Sequence, residues 1–256
     1  MKLLNNKILS NKFFLLIRNT LKIKPVRISK YYLDKNISMS DAFLFRTDNN
    51  YESLLRFNDI PKFFFDYKNT EVEIEFYDNK NNFIKKIILN PHNINNELLI
   101  NKNFLDGREI YGHFYIFHKI DNFKNEQVSF SNRCYVGYAN LDKNFSFVHG
   151  NTYVKAKDLK DGSIYSDFCN RSLIMNYRYL VQENFSNIDY VELFLCNPTS
   201  YDLKLQINSE NYLLKGMCDQ IYKFKNIDTI KITSNCTNLR PIVFTHKDKF
   251  YDVHHG

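Results

Sequence analysis

From Ser40 onward, apolar and polar residues trade places at nearly every second position along the chain. In Glu71–Tyr77 (EVEIEFY), Val72, Ile74 and Phe76 fall on one side and Glu71, Glu73 and Glu75 on the other, the period of a β-strand. The same alternation predicts strands at Ala42–Arg46, Phe83–Leu89, Glu97–Ile100, Ile110–His118, Val128–Phe130, Cys134–Tyr138 and Phe145–His149. It resumes at Ile174–Val181, Tyr190–Leu195, Tyr201–Ile207, Tyr212–Lys215, Gln220–Phe224, Thr229–Ile232 and Pro241–Thr245. Asp78–Asn82 and Asn197–Ser200 carry turn residues, and Lys85 and Lys86 are expected across from the glutamates of the preceding strand. No helical pattern lies between these strands. The fold class expected is therefore all-β and antiparallel, not a parallel sheet bridged by helices.

The polar stretch Lys155–Ser166, with Asp161-Gly162 inside it, is the natural connection between two halves. The expected architecture is two tandem antiparallel β-sandwiches, jelly-roll-like, over residues 40–154 and 167–256. Their layouts run parallel: EVEIEFYDNKNNFIKKIIL then NELLI, and YVELFLCNPTSYDLKLQI then NYLLK, each read as a hairpin followed by a short Leu-Leu strand. Ahead of them, residues 1–33 read as a basic amphipathic helix whose periodic part is Met1–Leu21, ended by Pro25. Its longest apolar run, Phe13–Ile17, falls short of the roughly 7–15 residues of a signal peptide or the roughly 20 of a spanning helix. The helix is expected either to dock on the body or to meet an anionic membrane peripherally through residues 1–24. The expected location is cytoplasmic, at most peripheral at the inner membrane face.

Charge sharpens this picture. Eight of the 35 basic residues and none of the 28 acidic ones fall in residues 1–33, which leaves 27 bases against 28 acids in the rest. A body so balanced lacks the basic face that phosphate backbones require, so no nucleic-acid partner is expected. Heavy use of Asn, Lys, Ile, Phe and Tyr, with no Trp and seven Gly, fits a low-GC genome. Five scattered cysteines without a C-x-x-C pair predict reduced, mostly buried thiols. Dinucleotide, P-loop and nucleophile-elbow motifs are absent.

Three polar groupings remain. Arg133, Tyr135 and Gly137 share one strand face, where a guanidinium, a phenol and a gap suit a sugar or carboxylate. His149 and Asn151 flank Gly150 at a strand end and can aim two polar groups at one point. Near the carboxyl end, Arg240 is followed by His246, Asp252 and His254, which would meet if the last strand folded back, an imidazole–carboxylate set able to hold a divalent metal or move protons. Each has a plainer reading: an arginine covering a sheet edge, a capped turn, a frayed end. No cofactor is expected beyond that possible metal. His113 and His118 are five apart, hence on opposite strand faces, and are not expected to share a ligand.

The segments SDAFLFR, RFNDIPKFFF, NRCYVGY, FVHGN, NPTS and RPIVF resemble uncharacterised β-rich proteins associated with surface-polysaccharide gene neighbourhoods of marine bacteria. Cys134 stands where that pattern has Gly. The resemblance implies a glycan-related role and carries over no catalytic residue. Three functions follow as expectations. The first is an accessory or glycan-binding protein of envelope polysaccharide assembly, partnered by saccharide or by glycan-assembly proteins. The second is a glycan- or sugar-nucleotide-modifying enzyme using a His cluster, and the third a structural subunit of a phage or surface assembly.

Overall fold

A computed structural model describes Ile17 and residues 36–91, 95–120, 128–132, 134–140, 144–150, 153–166, 168–169, 171–181, 184–236 and 239–256. The expected amphipathic helix of residues 1–33 lies outside the described residues, apart from Ile17, which is helical. The rest is all-β. Its strands are β1 (Ile37–Asp41), β2 (Phe43–Arg46), β3 (Glu52–Asn58), β4 (Thr70–Asp78), β5 (Phe83–Leu89), β6 (Asn95–Ile100), β7 (Tyr111–Ile120), β8 (Ser129–Ser131), β9 (Tyr135–Ala139) and β10 (Ser146–His149). They continue as β11 (Tyr153–Asp158), β12 (Ile164–Tyr165), β13 (Tyr177–Leu180), β14 (Tyr190–Cys196), β15 (Leu203–Ile207), β16 (Glu210–Leu214), β17 (Asp219–Phe224), β18 (Lys231–Ser234), β19 (Ile242–Lys247) and β20 (Phe250–His255). One short helix, α1 (Ile60–Phe65), interrupts them, capped by the Asp59 side chain and closed by Asp66 in the left-handed region.

The strands form five four-stranded sheets: β12-β11-β1-β8 (sheet A), β2-β7-β4-β5 (B), β10-β9-β3-β6 (C), β13-β18-β15-β16 (D) and β17-β14-β19-β20 (E). Among the described residues every pairing is antiparallel except β1 with β8. The chain leaves sheet A for sheet B at a register shift between Ser40 and Asp41. Across that switch the buried Ser40 and Ser38 hydroxyls accept the Ile116 and His118 amides of β7, which have no strand partner there.

Alternation holds in β4, where Val72, Ile74 and Phe76 are buried, but the glutamate side is not solvated as the pattern suggests. Glu73 is buried beneath sheet A, where Lys157 of β11 bonds it and Lys119 stands 3.1 Å away. Those two lysines, with a hydrogen bond from Glu75, overcome the burial that would raise the Glu73 carboxyl and hold it down at about 2. Residues 155–166, read as a connection, instead form the β11–β12 hairpin of sheet A.

The two expected hairpins also part company. β4 pairs with β5. β14, however, pairs with β17 and β19 in sheet E while β15 lies in sheet D. The turn between them is locked by Asn197, whose amide donates to the Tyr201, Leu214 and Lys215 carbonyls and whose oxygen accepts the Thr199 amide. Pro198 has no amide to continue the ladder, so the chain is redirected to another layer rather than back along the same one.

Sheet E consequently serves two cores. Val191, Leu193, Leu195 and Val243 pack with Leu203, Leu205, Ile207 and Ile232 of sheet D. On the other side Phe194, Cys196, Ile242, Phe244 and Val253 join the large cluster built on Phe43, Phe45, Leu55, Phe76, Phe114 and Val136 of sheets B and C. All five cysteines are free thiols, four of them buried. Among the described residues no helix is long and apolar enough to cross a membrane.

Candidate functional site

Four segments far apart in the sequence meet at one place. A tight gap is lined by Ala42, Phe43 and Leu44 (SDAFLFR), Val136 and Tyr138 (NRCYVGY), Val148, His149 and Gly150 (FVHGN) and Ile242 (RPIVF). Close approach explains Gly150: a Cβ there would sit 2.3 Å from the Asp41 carboxylate and 2.5 Å from the Phe43 ring.

Above this gap β10 and β20 come side by side, and His149 meets His255 with ring centroids 4.4 Å apart. Carbonyl oxygens only accept, so each contacting ring nitrogen carries a hydrogen. His149 Nδ1–H donates to the Gly150 carbonyl at 2.9 Å. His255 Nε2–H donates to the His149 carbonyl at 2.7 Å. Burial, then the charge of Arg240 and His149 itself, push His255 down to about 4, so it stays neutral at physiological pH.

The register of sheet C extends this corner across an outward face. His149 is opposite Tyr135, Tyr135 opposite Arg56, and Arg56 opposite Glu97, one row over four strands. All four are exposed, the Tyr135 ring at 54%. Arg56 Nε donates to Glu97 at 2.7 Å while its guanidinium lies 4.5 Å over the Phe147 ring. Phe147 also covers Gly137, where a Cβ would come within 2.6 Å of the ring. The gap expected beside Tyr135 is thus filled.

Of the residues singled out from the sequence, Tyr135, His149 and Arg240 belong to this corner, while Arg133 and Asn151 lie outside the described residues. His246, Asp252 and His254 do not converge. His246 pairs in register with Tyr251, so Asp252 and His254 take the opposite face of β20. There Asp252 accepts the Ser146 hydroxyl and stands 3.9 Å from His254 Nδ1.

His246 instead joins a buried cluster that the sequence did not reveal. Arg46, 1% exposed, gives Nε and Nη2 to Asp48 at 3.0 and 2.8 Å and Nη1 to Glu192 at 2.6 Å. Its guanidinium lies 4.2 Å over Tyr51 and 4.9 Å over Phe244. His246 Nε2 is 3.5 Å from Glu192 and 3.4 Å from the Tyr51 hydroxyl, and its ring stacks on Tyr190 at 4.1 Å. Burial would raise the Glu192 carboxyl, but His246 and Arg46 together hold it at about 2. Beside Tyr51 opens a polar cavity of about 240 Å³, with Asn50, Glu52, Lys102, Glu109 and Asn140 on its walls.

A second buried trio, His113, Cys196 and Asp219, links sheets B and E. The only sequence signals for these clusters were charged residues inside apolar strands, such as Glu192 in YVELFLC. No family model matches the chain, and no curated protein matches it.

Proposed function

We propose that this is an accessory, saccharide-binding protein that recognises a glycan with the outward face of sheet C. The observation that carries the reading is the row His149–Tyr135–Arg56–Glu97, with its half-exposed phenol between an imidazole and a guanidinium–carboxylate pair. An apolar sugar face stacks on such a ring, and the flanking groups supply both donors and acceptors for hydroxyls. Resemblance to proteins of surface-polysaccharide neighbourhoods supports assigning the ligand to envelope polysaccharide, with glycan-assembly proteins as partners. The basic segment 1–33 supports a cytoplasmic position peripheral to the inner membrane face. The finer architecture, two jelly-roll-like sandwiches behind an amphipathic helix, belongs to the same proposal and is supported by the separate core that sheets D and E enclose.

Glycan arrays followed by calorimetry test this. Saccharide binding that weakens at least about tenfold in Tyr135→Ala, but not in Tyr201→Ala on another face, is the expected result. A folded wild-type chain that binds no saccharide on the array sinks the reading. The exposed imidazole of His149, anchored through Nδ1, favours one alternative, an enzyme in which its Nε2 takes a proton from a bound sugar. Turnover lost in His149→Gln with glycan binding retained would select it.

A further inference from the structure

His113 of β7, Cys196 at the end of β14 and Asp219 at the start of β17 each present one donor atom, and these atoms lie within 4.8 Å of one another. All three side chains are buried. Asp219 Oδ2 is 2.7 Å from His113 Nδ1, and the Cys196 thiol bonds toward the same carboxylate. Asp219 Oδ1 meets no N–H or O–H donor, and the hydroxyl of the wholly buried Tyr115, whose ring stands edge-on to His113 at 5.1 Å, has no partner either. Tyr77 stacks flat on the other side of the imidazole at 5.4 Å, so the imidazole is held in place by rings.

We propose that this trio binds a borderline transition-metal ion, with zinc(II) the best match. An imidazole nitrogen, a thiolate and a carboxylate oxygen are the three donor types that ion takes. A His–Asp ion pair and a thiol hydrogen bond to the same carboxylate still leave Asp219 Oδ1 unmatched, whereas an ion takes one donor atom from each of the three residues. One thiolate and one carboxylate cancel its double charge, and a neutral complex is what a dry interior tolerates. Binding replaces two hydrogens: the Cys196 thiol proton leaves to solvent, and the proton that His113 Nδ1 directs at Asp219 passes to Nε2 or to solvent, so affinity rises with pH. Donors at roughly 2.0–2.3 Å around a tetrahedral ion stand roughly 3.3–3.7 Å apart, so the His113–Asp219 contact opens by about half an ångström. The ion would tie β7 of sheet B to β14 and β17 of sheet E, residues 106 apart in sequence between His113 and Asp219.

The full chain, purified under reducing conditions, is analysed for metal by plasma mass spectrometry and titrated with cobalt(II). About one zinc per chain is expected, and a near-ultraviolet thiolate-to-cobalt charge-transfer band with strong tetrahedral visible absorption. Cys196→Ser should lose the charge-transfer band, Asp219→Asn should weaken binding at least about tenfold, and Cys134→Ser, a buried thiol elsewhere, should keep the band. If the variants do not fold, the wild-type cobalt spectrum decides alone. A folded wild type that takes up no zinc and shows no charge-transfer band overturns the site, as does a folded Cys196→Ser that keeps the band.

Discussion

The Arg46 cluster and the His149 corner treat polar side chains in opposite ways. Around Arg46 each guanidinium nitrogen ends on a carboxylate, two aromatic faces cover the charge, and Glu192 is held by both Arg46 and His246. At the corner, His149, Tyr135 and Arg56 keep donors, acceptors and ring faces at the surface. Both draw on the same kinds of residue. What separates them is whether the hydrogen-bonding capacity is spent inside the protein, where it fixes the join between sheets, or left for a ligand.

Stability measurements break this contrast most sharply at Arg46. Arg46→Met leaves Asp48 and Glu192 facing an apolar interior, and urea unfolding should report a loss of about 3–5 kcal/mol. Adding Glu192→Leu should recover part of it, because the stranded charge goes too. A loss under about 1 kcal/mol would mean the cluster is not the join described.

Acid is the next probe. Glu192 ionises at about 2 in the folded chain and near its ordinary 4.5 when unfolded. Its contribution is complete above about 4.5 and disappears as pH falls toward 2. Glu192→Gln should flatten the stability profile in that window while lowering stability at neutral pH. Histidine titration works in a higher window. His118 and His255 are both pushed down to about 4, chiefly by burial, from an ordinary 6.5. The unfolded chain therefore takes up protons first, and stability should decline as pH drops from about 6.5 to 4. His118→Leu should remove more of that decline than His255→Phe, since His118 is the more deeply enclosed. At the exposed end of the comparison, Tyr135→Ala should change stability by no more than about 0.5 kcal/mol while weakening saccharide binding at least about tenfold.

The β period was legible in the sequence because side-chain alternation is a local property: β5 was bounded at its very ends and β4 and β14 within a residue. β1, β3, β11, β12 and β20 were missed. Polar Ser38 and Ser40 are buried in β1, where they bond amides of another strand, and composition cannot signal that. Glu73 misled for a related reason. A charged face reads as solvated until a second sheet with lysines is laid over it. The corner was half legible: a Gly between polar residues marked His149, yet nothing nearby in sequence marked His255 as the ring it meets. That meeting depended on how the edge strands β10 and β20 of two sheets come side by side, which no short-range pattern encodes. Arg46, Glu192, His113 and Asp219 are brought together only by sheet stacking.

The double-sided sheet E has a consequence for how this chain is made. Phe244 and Val253 help seal the cluster built on Phe43 and Phe76, so that core stays incomplete until residues past 253 have left the ribosome. The nascent polypeptide would carry an uncovered greasy surface through most of its synthesis, an invitation to chaperones. A fragment cut near residue 166 should accordingly precipitate rather than fold.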